Sequence, residues 1–162
     1  MKHPLADETI CRILVKKRLL SKSQAREILS KCHGLKDKLE AARKKKKGTG
    51  PPSLQIECPV TLVDIIDSLK IKRMDTPSVP LDEESIYQSL ADAWGMPYNK
   101  IDPVKLDLNI FTGTIPHSFA MKHLVLPISI SDGCLTVATT NPFNVEVLED
   151  IARATNLAIK VV

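Results

Sequence analysis

Aromatic residues are scarce in this sequence. One Trp, two Tyr and three Phe stand among 162 residues, so a core has to be assembled from Leu, Ile, Val and Ala. Glycine is sparse too, with six in all. The only dense glycine segment, Gly48-Thr49-Gly50, runs into Pro51 and Pro52. No GxxxxGKS/T loop occurs, which excludes a P-loop, where backbone amides cradle phosphates and a lysine reaches them. No apolar run approaches the roughly 20 residues a membrane span needs, and the N-terminus lacks the apolar stretch of a secretory signal, so neither is expected.

The four cysteines, Cys11, Cys32, Cys58 and Cys134, are far apart and form no CxxC. A reduced set is expected rather than a disulfide framework. His3, His33, His117 and His123 have neither zinc-ribbon nor HExxH spacing, so no metal site is expected. There is no GxSxG elbow, and acidic pairs such as Glu149-Asp150 suit a solvated helix face. The chain is not expected to be an enzyme or to hold a cofactor of its own.

What is present is charge, unevenly placed. Residues 1–50 carry 15 Lys and Arg against 5 Asp and Glu, and residues 51–162 carry 8 against 14. A basic front and an acidic back suggest two units. Residues 7–18 have the apolar stripe of a helix, with Ile10, Ile13 and Leu14 facing one way and Lys16, Lys17 and Arg18 at the C-terminal end. Ser21 with Gln24 makes a capping-box pattern that opens a second helix carrying Ala25, Ile28, Leu29 and Cys32. Its continuation past Gly34 is weakened by the glycine. Residues 43–52 are a linker by composition, since like charges repel and Gly and Pro break regular structure.

After Pro59, Val60, Val63, Ile66 and Leu69 share a helical face. Residues 70–80 predict an irregular loop. Asp82 caps a helix carrying Ile86 and Leu90, Gly95 ends it, and Pro97 follows. Residues 98–101 predict a short strand, and residues 103–123 short helical pieces, one of them starting at Pro116. Asp132-Gly133 between two β-rich runs predicts a hairpin over 124–139, with Pro127 at an edge or bulge. Asn144 caps a helix that Asn156 ends, and 157–162 form a last strand. The fold class is α+β: a helical subdomain over 1–47, a basic, Pro/Gly linker over 48–58, and an α+β subdomain over 59–162 with a mixed three- to four-stranded sheet.

Several of these segments, in order, resemble the N-terminal domain of the type II secretion and type IV pilus assembly ATPases. The run from Ser85 to Tyr98 is similar to the family pattern LaxxlGlPy, and Ile115-Pro116 with Phe119 to Pro127 is similar to iPxxfaxrhxvlPl. Asp132 to Ala138, Asn141-Pro142-Phe143 and the segment from Leu148 follow. Further forward, members that bind cyclic di-GMP carry the pattern RLGxxLVxxGxISxxQLxxALxxQ. Leu14, Val15, Leu20, Ser21 and Gln24 keep its middle. Thr9-Ile10-Cys11 stand where its RLG would be, Arg18 where its central Gly would be, and Cys32 at its closing Gln. A second copy can be traced from Leu62 to Gln88, interrupted over 70–80.

The resemblance implies a non-catalytic docking or regulatory domain that couples a cytoplasmic motor to an inner-membrane platform protein. It implies a peripheral location at the inner membrane, a hexameric full-length protein, and ATP and Mg bound only by an ATPase domain beyond Val162. The candidate partner-binding residues are Leu14, Val15, Arg18, Leu20, Gln24 and Ile28 on the front helices, and Leu124 and Leu126 near the β edge. The alternatives are a cyclic di-GMP sensor with degenerate motifs and a nucleic-acid adaptor using the basic run 43–47, which has no interleaved aromatics for stacking on bases.

Overall fold

The computed structural model describes residues 5–46 and 59–162. The expected linker over 48–58, together with Lys47 and Cys58, lies outside the described residues. The order of elements is α1 (Asp7–Lys16), α2 (Lys22–Lys46), α3 (Leu62–Ser68), α4 (Glu83–Trp94), a 3-10 turn (Pro103–Lys105), α5 (Leu108–Thr114), α6 (His117–His123), β1 (Val125–Ser131), β2 (Cys134–Thr139), α7 (Val145–Thr155) and β3 (Ala158–Val161). The fold is α+β.

The described residues divide into two compact units at Gly95. Residues 5–46 and Pro59–Gly95 form one, and Met96–Val162 the other. This differs from a division at the linker. The apolar faces of α3 and α4 meet the front helices: Ile10, Leu14, Leu20 and Ile28 share one buried cluster with Val63, Ile66, Ile86 and Leu90.

Two helix–turn–helix pairs build the first unit. In each pair a helix ends in a residue with left-handed backbone, Arg18 (φ 59°) after α1 and Lys70 (φ 46°) after α3. A capped helix then begins. The Ser21 hydroxyl accepts from the Gln24 N–H (3.1 Å), while the Ser21 N–H donates to Gln24 Oε1 (2.8 Å). In the second pair the Ser85 N–H donates to Asp82 Oδ1 at 3.0 Å. Buried Leu20 and Leu81 stand just before the two caps. The second copy traced in the sequence is therefore a second copy of the same local structure. Residues 70–80 are not an irregular loop but a small hairpin: Lys72 pairs with Pro80 in an antiparallel bridge, the Leu81 N–H donates to the Ile71 carbonyl (2.7 Å) and the Arg73 N–H to that of Val79 (3.2 Å).

The weak continuation expected past Gly34 is corrected, because α2 runs unbroken to Lys46. Leu35 and Leu39 pack on the unit's core, and Arg43 Nη2 meets Asp64 Oδ1 at 2.7 Å. Burial and an ion pair offset the roughly 1 kcal/mol cost of one helical glycine. Asp64 also closes a capping box with Thr61 at the start of α3.

The second unit has two layers. Its sheet order is β1-β2-β3, with β1 antiparallel to β2 and β2 parallel to β3 through α7. Asp132 and Gly133 have φ 50° and 72°, as the tight hairpin turn requires. The register slips between Pro127 and Ser129. That bulge at Ile128 keeps Pro127 opposite Val137 and Ile130 opposite Leu135, so both face the side on which Leu135 and Val137 are fully buried. Ile115, Ala120, Val147 and Ile151 cover this side. The segment 98–101, predicted as a strand, is extended but unpaired among the described residues.

Candidate binding surfaces

The front-helix candidates fall into two groups. Leu14, Leu20 and Ile28 are 0%, 1% and 2% exposed, inside the first unit's core. This corrects their assignment to a partner surface: periodicity identifies an apolar stripe, and the stripe is covered by this unit's own helices. Gln24 is half-buried and committed to the Ser21 cap. Val15 is half-buried and Arg18 exposed. Of the six, Arg18 alone is exposed.

The same geometry explains the motif resemblance. The positions kept (Leu14, Leu20, Ser21, Gln24) are core and cap, and the central position is a left-handed turn. Glycine enters that region without a Cβ penalty, whereas Arg18 adopts it at a cost of about 1 kcal/mol. Where the pattern opens with Arg, the buried Thr9 hydroxyl has no hydrogen-bond partner among the described residues. Burial, then the nearby Asp7 and Cys32, push the Cys11 thiol up to about 11, so it stays protonated at neutral pH.

On the α3–α4 side, burial and then the neighbouring Asp64 and Asp67 raise the Glu83 carboxyl, with Arg43 opposing them. Tyr87 lies against this group, its phenol pushed up to about 12 by burial. Among the described residues no three His, Cys, Asp or Glu side chains stand close enough to hold a metal ion. No helix among them is long and apolar enough to cross a membrane.

The β-edge candidates lie together in the second unit. Leu124 ends α6 in left-handed backbone (φ 51°) and is half-buried. Leu126 is half-buried and pairs with Ala138, on the sheet face opposite Leu135 and Val137. Ser129, Ser131, Cys134 and Thr136 share that face through the register. β1 pairs only with β2, so no strand occupies its outer edge among the described residues, and Ile130 near its end is 44% exposed. The bulge marks an edge in the sequence through Pro127. The exposed hairpin beside α1 carries no comparable signal, because its paired segments are only three residues long.

Residues 94–162 match the MshEN domain. A stretch of 66 residues is 32% identical to the type IV pilus assembly ATPase TfpB of Acinetobacter baylyi, covering 41% of this chain and 11% of that protein. The chain thus spans about a tenth of that relative's length. Among solved structures, MshE with cyclic di-GMP superposes with a TM-score of 0.55 at 18% identity, over 94% of this chain and 86% of that one. The N-terminal domain of XpsE superposes with a TM-score of 0.51 at 14% identity, over 99% and 88%. Residues 94–162 thus match the MshEN domain, and the chain shares its fold with MshE and with the N-terminal domain of XpsE.

Proposed function

We propose that this chain is the non-catalytic docking domain of a cytoplasmic secretion or pilus-assembly ATPase, peripheral to the inner membrane, that attaches the motor to the cytoplasmic domain of a membrane platform protein. ATP and Mg would be bound by an ATPase domain of the same polypeptide, in a hexamer. The observation that carries the reading is the outer edge of β1, with which no strand pairs among the described residues, within the part that matches the MshEN domain. An open edge offers main-chain hydrogen bonds to an added strand, and the side chains along it give selectivity. Leu124 and Leu126 flank that edge, with Ile130 at its far end.

Calorimetric titration of the platform protein's cytoplasmic domain tests this. Leu126→Asp and Ile130→Asp should each weaken binding at least ~10-fold, as expected when an interface anchor worth more than about 1 kcal/mol is removed. Unchanged affinity in both variants, with the fold intact by circular dichroism, rejects the edge as the docking site.

Cyclic di-GMP sensing is the second reading, favoured by the duplicated helix–turn–helix and by the fold shared with MshE. Thr9 and Arg18 weigh against it, since the arginine that would pair with phosphate and the glycine that would let the ligand approach the backbone are both replaced. Titration with cyclic di-GMP should be silent to high micromolar concentration, and saturable heat would replace the docking reading with a sensing one.

A further inference from the structure

The first unit carries a surface that the docking reading does not use. From Thr9 to Arg26 there is no acidic residue, while Arg12, Lys16, Lys17, Arg18, Lys22 and Arg26 are all exposed. Lys17 meets Asp92 at 3.5 Å; the other five have no acidic partner among the described residues. Arg18 holds its cation on a left-handed backbone where glycine would sit at lower cost.

Two exposed apolar side chains stand beside this turn. The Met74 N–H donates to the Leu19 carbonyl at 3.2 Å, which fixes the tip of the 71–81 hairpin against the α1–α2 turn. Met74 is 53% exposed and Val79 42%. Lys72, also exposed, lies two residues from Met74 and has no acidic partner among the described residues. The one acidic side chain at the tip, Asp75, is held by Arg73 through two hydrogen bonds of 2.9 and 2.5 Å.

We propose that the α1–α2 turn and the 71–81 hairpin form a contact surface for an anionic lipid bilayer. Cations alone would suit any polyanion. Cations on a turn that adjoins exposed Met and Val side chains suit an interface with anionic headgroups above acyl chains. Single-stranded nucleic acid would favour aromatic stacking partners, which this surface lacks, and duplex DNA is left to the test below. The inference deepens the peripheral placement proposed above by naming the surface that makes it, and it needs no platform protein.

The test is sedimentation of the whole chain with vesicles of equal parts phosphatidylglycerol and phosphatidylcholine, beside vesicles of phosphatidylcholine alone. The expected result is binding to the anionic vesicles only, lost between ~0.1 and ~0.5 M NaCl as screening shortens. Removing one juxtamembrane cation should lower the partition about fivefold. The K16E/R18E/K22E variant should lose at least ~100-fold by the same rule, M74S/V79S should bind more weakly, and K36E/K38E on another part of α2 should bind as the parent does. If the charge-reversed protein does not fold, K16Q/R18G/K22Q takes its place.

No binding to anionic vesicles at low salt overturns the proposal. So does equal loss in K36E/K38E, which would mean unspecific charge attraction. Duplex DNA binding as tightly through the same three cations would assign the surface to nucleic acid instead. The vesicles contain no protein, so failure here leaves the platform titration unaffected, and failure there leaves this test unaffected.

Discussion

Replacing Arg18 by glycine should make the first unit more stable. Arg18 has φ 59°, a region where a Cβ crowds the following carbonyl at about 1–2 kcal/mol. Glycine removes that cost but brings greater freedom to the unfolded chain, which takes back roughly 0.5–1 kcal/mol. Losing a cation at the C-terminal end of α1 subtracts about another 0.3 kcal/mol. The net expectation is a gain of about 0.5 kcal/mol. Gly95→Ala supplies the mirror experiment. Gly95 sits at φ 66° with nothing within 4 Å of an added Cβ, so its loss of about 1 kcal/mol reads backbone strain without a clash.

The assay is urea unfolding followed by tryptophan fluorescence. The one tryptophan, Trp94, packs against the first unit's core, so the signal belongs to that unit. With a slope of about 1–3 kcal/mol per M, Arg18→Gly should raise the midpoint by about 0.2–0.5 M and leave the slope unchanged. A Cβ at position 95 meets nothing within 4 Å, so the double variant should show the sum of the two changes. If Arg18→Gly is neutral or destabilising while Gly95→Ala loses its full amount, the left-handed turn after α1 is not a site of strain, and the account given of the glycine position in the motif fails.

Other expectations concern burial and ionisation. Leu14→Ala should cost about 3 kcal/mol, since the side chain is wholly buried, whereas exposed Val104→Ala should cost almost nothing; a small effect at Leu14 in urea melts would return that residue to the surface. Thr9→Val should stabilise by about 1 kcal/mol by removing a buried hydroxyl that has no partner, and a loss of stability would show that the hydroxyl is satisfied in solution. Asp64→Ala should cost about 1–2 kcal/mol, because it opens the Thr61 capping box and frees Arg43; a melt unchanged within 0.3 kcal/mol would contradict this. With its thiol pushed up to about 11 from an ordinary 9.0, Cys11 has about 100-fold less thiolate at pH 8, so peptide-resolved alkylation of the native protein should label it at least that much more slowly than an unperturbed exposed thiol.

Local chemistry was legible in the sequence wherever one side chain settles one backbone group. Ser21 with Gln24, Asp82, Gly95, Asp132-Gly133 and Asn156 stand where their residue types predict, because a cap or a left-handed turn depends on neighbours three or four residues away. The features that escaped depend on distant partners. Helix α2 passes Gly34 because Leu35, Leu39 and Arg43 find support from other elements, and no local rule records that support. Leu14, Leu20 and Ile28 form a correct apolar face, but spacing cannot say that α3 and α4 cover it. Nor can spacing assign α3 and α4 to the first unit rather than the second.

The same distinction bears on function. At the front of the chain, the positions that resemble the cyclic di-GMP motif are those that fill a core, cap a helix or turn a chain. The residues that would meet a ligand there, an arginine at position 9 and a glycine at position 18, are Thr and Arg instead. A helical pair can keep every residue its packing needs and still present a new surface, because exposed positions are free of the constraints that hold Leu14 or Ser21 in place. Here the exposed residues of that turn are cationic, and Arg18 stands where the pattern has glycine. A resemblance carried by buried and capping residues is therefore evidence for the fold of this unit. What the unit binds has to be decided at Arg18 and its exposed neighbours.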